Sequence, residues 1–187
     1  MIKFTAEDYR RIIMEKNGGM TPKEVCETII VPSISEMVEI TGHAWLDTYA
    51  RRRLLLAIAI QESNLETRVQ IGGGPGRSFW QLEAGVRYLF SNEATSTFAR
   101  SVCRFFGVPQ DTSELAKIME TSAGDDLACC LAILMLLADP HPIPTGQDDA
   151  WKTYLRVWRP GKPRPAAWPR SWSMSGVASF KNDKLNA

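Results

Sequence analysis

Residues 54–63 read Leu54-Leu55-Leu56-Ala57-Ile58-Ala59-Ile60-Gln61-Glu62-Ser63. Seven consecutive apolar residues leave no polar face, and a helix that is apolar all round is a buried one. The stretch therefore predicts a central helix that delivers Gln61 and Glu62 at its C-terminal end. A carboxylate behind such a run is costly for the core unless it faces a cleft. Partial burial raises its pKa by disfavouring the charged form, so it can hold a proton near neutral pH. A general acid needs that property to protonate a glycosidic oxygen. A plainer reading stays open, in which Glu62 ends the helix in water or is capped by Arg68.

Working outward, the punctuation is that of a mainly α protein. Thr21-Pro22-Lys23-Glu24 is a capping box with proline at the first helical position. Ser33-Ile34-Ser35-Glu36 repeats the box and predicts the start of a short helix that Gly42 ends. Asp47 is positioned to cap the buried helix. Downstream, Ile71-Gly72-Gly73-Gly74-Pro75-Gly76 excludes helix and predicts a loop, with at most a small β-hairpin near residues 66–81. Helical patterning resumes over 82–90 and 96–106, then after an Asp111 cap, over 125–138 and over 148–158. Arg159-Pro160-Gly161-Lys162-Pro163-Arg164-Pro165 reads as extended. The tail through Trp168 and Trp172 is expected to be an aromatic-anchored strap, loosely held from about Phe180 onward. The expectation is one domain over 1–187, with N-terminal helices (1–45), a core (46–158) and a Pro/Trp-rich C-terminal strap (159–187).

Composition excludes several classes. A net charge of +1 argues against a protein devoted to wrapping nucleic acid. Cys26, Cys103, Cys129 and Cys130 form no C-x-x-C pair and sit among apolar residues, as reduced structural thiols do. The glycine-rich run lacks the spacing and the Gly-Lys-Ser/Thr ending of a phosphate loop, so no nucleotide is expected. His43 and His141 share no metal-binding spacing, and neither is tied by pattern to Ser63, so no metal or cofactor is implied. Arg156, Arg159, Lys162, Arg164 and Arg170, interleaved with Trp158, Trp168 and Trp172, can form a basic-aromatic surface for a polyanion. The preferred reading packs the tryptophans on the core and leaves the cations in water. The N-terminus shows no signal-peptide run, and the apolar stretches are too short to span a bilayer, so the chain is expected to be made in the cytoplasm with no transmembrane segment.

After the glycine loop comes Gly76-Arg77-Ser78-Phe79-Trp80-Gln81-Leu82-Glu83. Aromatic faces pack on sugar rings and an amide can bond acetamido or hydroxyl groups, although Phe79 and Trp80 can equally be core. The Glu62-Ser63 pair followed by Gly76-Arg77-Ser78-Phe79-Trp80-Gln81 resembles the lysozyme-like superfamily, specifically lytic transglycosylases and phage-encoded relatives. The ending Tyr154-Leu155-Arg156-Val157-Trp158-Arg159-Pro160-Gly161-Lys162-Pro163 is also similar to phage-type members. The resemblance covers about residues 50–172 and implies a lysozyme-like fold acting on peptidoglycan glycan strands.

By that resemblance Glu62 is the catalytic acid and base. Ser63 orients it or the substrate acetamido group, and Gln81 and Tyr154 bind substrate; Trp80 and Glu83, read from the 76–83 segment itself, are further substrate-binding candidates. Tyr154 stands where the family carries an A-Y-N-x-G segment, but here the chain reads Thr153-Tyr154-Leu155-Arg156. The implied reaction is lytic transglycosylation between N-acetylmuramic acid and N-acetylglucosamine, closing a 1,6-anhydro ring without water. A hydrolytic muramidase needs a second carboxylate, about 5 Å away for retention or up to about 9.5 Å for inversion. Glu83 is the first candidate for it and Glu66 the next. A third alternative is a non-catalytic virion or wall-binding module that grips the wall or other virion proteins. The missing signal and the phage-like tail point to a phage product, packaged in the virion or released late for lysis, acting on the wall.

Overall fold

In the computed structural model, which describes residues 19–83 and 85–179, the apolar run is the axis about which the other helices are laid. Helix α1 (Pro22–Val25) passes through a π turn (Cys26–Ile30) into α2 (Val31–Thr41). A short 3-10 turn at Ala44–Leu46 precedes the central helix α3 (Tyr49–Ser63). Then come α4 (Gly85–Ser91), α5 (Ser96–Phe106), α6 (Thr112–Ile118), the second apolar helix α7 (Asp125–Leu137), α8 (Gln147–Trp158) and α9 (Trp168–Ser179). The mainly α expectation holds.

Leu54 to Ile60 of α3 and Leu127 to Leu134 of α7 are buried throughout, so both apolar helices lie inside. The Thr21 box forms: Glu24 N–H donates to Thr21 Oγ1 at 3.2 Å and Thr21 N–H to Glu24 Oε2 at 2.8 Å. Gly42 and Gly107 end α2 and α5 at φ 73° and 66°, the left-handed conformation that glycine adopts without a Cβ clash. Asp111 caps α6 through the N–H groups of Ser113 and Glu114. Cys26, Cys103, Cys129 and Cys130 form no disulfide and are buried, as expected.

Four local expectations change. The Ser33-Glu36 box does not start a helix, because α2 already begins at Val31 and Ser33 is inside it, donating its hydroxyl to Asp126 O at 3.4 Å. Pro32 lacks an N–H and its ring crowds the carbonyl four residues back; the wider π turn just before it lets the helix continue where a break was expected. Thr48, not Asp47, caps α3 by accepting from Arg51 N–H, while Asp47 takes the Arg52 guanidinium at 2.6 Å. The hairpin reduces to two isolated antiparallel bridges, Val69 with Arg77 and Arg77 with Leu82.

The fourth change matters most for the site. The tail is not an extended strap but the helix α9, which packs on α3 more extensively than any other pair of elements. Ser171, Ser175 and Gly176 give it a small-residue face: both serines are buried, and a Cβ at Gly176 would stand 3.1 Å from Arg53. Trp168 and Trp172 are buried as anchors, the latter beneath the Arg53 guanidinium at 3.9 Å. Phe180 onward lies outside the described residues.

One half-buried acidic pair is unrelated to the site. Burial and then Asp126 push Glu36 up to about 7; burial and then Asp125 push Asp126 up to about 6. A raised carboxyl costs nothing below its unfolded pKa and an increasing amount as pH rises through its folded value. Glu36→Gln is therefore expected to raise Tm by a few degrees at pH 8 and leave it unchanged at pH 4, measured by circular dichroism.

Candidate active site

At the end of α3 the chain reverses through Asn64 (φ 52°) and Leu65 (φ 60°). The reversal leaves Glu62 beside a cleft of about 1270 Å³. Residues from two stretches of chain, 61–89 and 135–164, line this cleft. Asn64, Gln81 and Arg159, three of the non-glycine residues with positive φ, all border it. Backbone strain of this kind collects at functional sites.

Glu62 is half-buried and its carboxyl is pushed above its ordinary value, chiefly by burial. The Tyr154 hydrogen bond and the Arg164 charge pull it down, and Glu83 adds a small upward push. Tyr154 Oη donates to Glu62 Oε1 at 2.7 Å. The phenol is itself pushed well above its usual value, by burial first and then by Glu62, so it stays a donor. Its ring is fixed by stacking on Trp168 (centroids 5.5 Å apart, 14°) and by Trp151 at 5.2 Å. The tail helix thereby positions the partner of Glu62.

Gln61, only 1% exposed, ties the segment after α8 to the same helix end. Its Nε2 donates to Arg164 O at 2.9 Å and its Oε1 accepts from Ser171 Oγ at 3.0 Å. Arg164 Nη2 donates in return to Gln61 O and, at 3.5 Å, to Glu62 O. A guanidinium on the last carbonyls of α3 satisfies them and complements the helix dipole.

The other expected site residues divide. Gln81 and Glu83 line the cleft. Gln81 Nε2 donates to Ser78 O at 2.7 Å, which leaves its carbonyl oxygen for a ligand. A Cβ at Gly76 would stand 2.7 Å from that oxygen, so a larger residue there would displace the Gln81 amide from its present position. Ser63 borders the cleft, but its hydroxyl donates to Ala59 O at 3.0 Å and accepts from Leu65 N–H at 3.2 Å, closing the helix end. Trp80 does not face the cleft: it is fully buried, with Nε1 donating to Leu55 O at 2.9 Å, so its role as a sugar platform is corrected to core. Trp158, which sequence reasoning did not place in the site, lines the cleft half-buried, its Nε1 on Trp80 O at 2.9 Å.

Arg68 is not the partner of Glu62. It forms a two-point pair with Asp125, both contacts at 2.7 Å, and lies over Phe79 at 4.3 Å. Of the cleft carboxylates, Asp139 is engaged by Arg156 at 2.6 Å and His141 at 2.7 Å. Burial pushes its carboxyl up, but these hydrogen bonds outweigh it and hold it below the usual range. Glu66 and Glu83 are exposed. Among the described residues no three His, Cys, Asp or Glu side chains gather as a metal site requires, and no helix is long and apolar enough to cross a membrane.

Chemically, the arrangement offers one carboxyl shifted toward its protonated form, a phenol that steadies it and a nearby guanidinium, in a cleft of about 1270 Å³. Comparison with protein-family models, with curated proteins and with solved structures finds no match to this chain.

Proposed function

We propose that this chain cleaves the β-1,4 bond between N-acetylmuramic acid and N-acetylglucosamine in peptidoglycan, by lytic transglycosylation on a lysozyme-like helical fold. The observation that carries the reading is the Glu62 carboxyl, held toward its protonated form beside a large cleft and hydrogen-bonded by Tyr154.

Because Oε1 accepts from Tyr154, the acidic proton resides on Oε2. Glu62 passes that proton to the glycosidic oxygen as the bond to muramyl C1 breaks and positive charge develops on the ring. The resulting carboxylate keeps the Tyr154 hydrogen bond and the Arg164 charge, both of which favour the ionised form. It then takes the proton of the muramyl 6-hydroxyl while that oxygen closes on C1, which returns Glu62 to the acid. Asp139 is held by Arg156 and His141 and does not supply a second carboxyl.

Glu83 supports a second reading. It lines the same cleft and its charge reaches Glu62, so a hydrolytic route with Glu83 as the partner carboxylate is the competitor. Mass spectrometry of digested muropeptides separates the two. Anhydromuramyl ends are expected; reducing muramic acid ends would overturn the transglycosylase and assign Glu83 the second role.

Tyr154→Phe provides a pH test. A carboxyl that acts as an acid works below its pKa, so activity falls as pH rises through the raised value of Glu62. Losing the phenol removes a bond to the charged form and raises that pKa further. The alkaline limb of kcat/KM is expected to move to higher pH, with maximal rate down roughly 10- to 100-fold, the worth of a hydrogen bond to a charged group. An unmoved alkaline limb would show that Tyr154 does not tune the acid.

A further inference from the structure

The cleft is lined by groups of both charges. Glu62, Glu66 and Glu83 come from the 61–89 stretch, and Arg156, Arg159, Lys162 and Arg164 from the 135–164 stretch. Two of these cations are already engaged: Arg156 holds Asp139, and Arg164 holds the carbonyls of Gln61 and Glu62. Arg159 and Lys162 are exposed and, among the described residues, have no carboxylate within ion-pair distance. Arg159 Nε makes only a long 3.4 Å contact to Arg156 O.

Arg159 is also held in an unusual backbone state. It ends α8 at φ 49°, ψ 52°, the conformation that Gly42 and Gly107 supply without strain at the ends of α2 and α5. An arginine in that position carries a backbone cost that glycine would avoid, and it places a free guanidinium on the edge of the cleft.

We infer that Arg159 and Lys162 bind carboxylates borne by the peptide stems of the glycan strand, an inference that rests on the peptidoglycan reading above. The alternating N-acetyl sugars are neutral; the negative charge of a strand is carried on the peptides attached through the lactyl ether of muramic acid. A strand lying across Glu62 with its stems toward residues 159–162 meets free cations there. These cations favour the placement of the strand that brings its stems to them, and they require no contact with the sugars themselves.

The test uses soluble glycan strands, free of phosphate-bearing polymers, with their stems intact or removed by an amidase and the lactyl carboxylates so exposed then capped as neutral amides. Binding is measured by titration calorimetry with Glu62→Gln protein, with and without the added pair Arg159→Gly and Lys162→Gln. Glycine at 159 relieves the strained φ, so the variant is not expected to unfold, and thermal melting checks this. The pair is expected to raise Kd about tenfold on stem-bearing strands, the scale of two exposed ion pairs, with no change on stripped strands and a smaller gap at high salt. Equal Kd for both proteins on stem-bearing strands, an equal loss on stripped strands, or no binding of either strand overturns the inference. Cleavage by the parent protein is scored separately. Stem-dependent binding without cleavage keeps the inference and removes the enzymatic reading.

Discussion

Glu62→Gln is expected to lower peptidoglycan cleavage by about 10²–10⁴-fold, the contribution of a positioned general acid. The substitution is close to isosteric. Glutamine keeps an oxygen that can accept from Tyr154 Oη at the position Oε1 now holds, so the aromatic stack on Trp168 and the cleft walls have no reason to move. Only the transferable proton is lost. The wild-type rate should fall as pH rises through the raised pKa of Glu62, whereas the residual rate of the variant should lack that limb. The same variant is expected to be more stable than wild type above neutrality. A carboxyl raised by burial contributes a penalty that grows as it ionises, and an amide does not ionise. Zymography and thermal melting across pH 5–8 provide both readouts. Equal clearing by the two proteins would remove Glu62 from the chemistry. No clearing by either would favour a module that grips the wall without cutting it.

Glu62 could be singled out in sequence because its cost was visible there: seven apolar neighbours and no polar face. The same logic located α7, and the left-handed glycines marked where α2 and α5 end. What stayed hidden depends on contacts between distant segments. Arg68 is close to Glu62 in sequence, yet Asp125, 57 residues further on, claims it. Trp80 and Trp158 are both tryptophans beside the motif segments, and no periodicity says that the first faces inward and the second the cleft. The tail misled for a definite reason. Proline- and serine-rich composition disfavours helix locally, but Pro169 falls in the first turn of α9, where a missing N–H is harmless, and the serines make the close face against α3. Packing overrode propensity, and with α9 came Trp168, the stack under Tyr154 and the Gln61–Ser171 bond. Tyr154 therefore reaches Glu62 from the segment Thr153-Tyr154-Leu155-Arg156, which has neither the Asn nor the Gly of the A-Y-N-x-G pattern.

Arg68→Met is expected to destabilise the fold by roughly 3–5 kcal/mol at pH 8, the cost of leaving a buried charge without its partner. Both side chains of the Arg68–Asp125 pair are less than a tenth exposed, and the pair ties the loop after α3 to the first residue of α7. Burial already pushes the Asp125 carboxyl up, and the Arg68 hydrogen bonds and charge pull against it. Without the guanidinium nothing opposes burial, so the folded pKa rises further above the unfolded one. The penalty of that carboxylate is present at high pH and fades as pH falls toward its unfolded pKa, where it takes a proton in both states. The gap in stability between Arg68→Met and wild type should therefore narrow from pH 8 to pH 5, measured by urea unfolding at each pH. Adding Asp125→Leu removes the orphaned charge and should restore most of the loss, since an apolar pair often replaces a buried ion pair at little cost. A gap that stays constant with pH, or a double variant no better than the single, would mean that Arg68 acts by packing over Phe79 rather than by its charge. The segment after α3 would then be held by an aromatic contact within itself, with the ion pair to α7 contributing little.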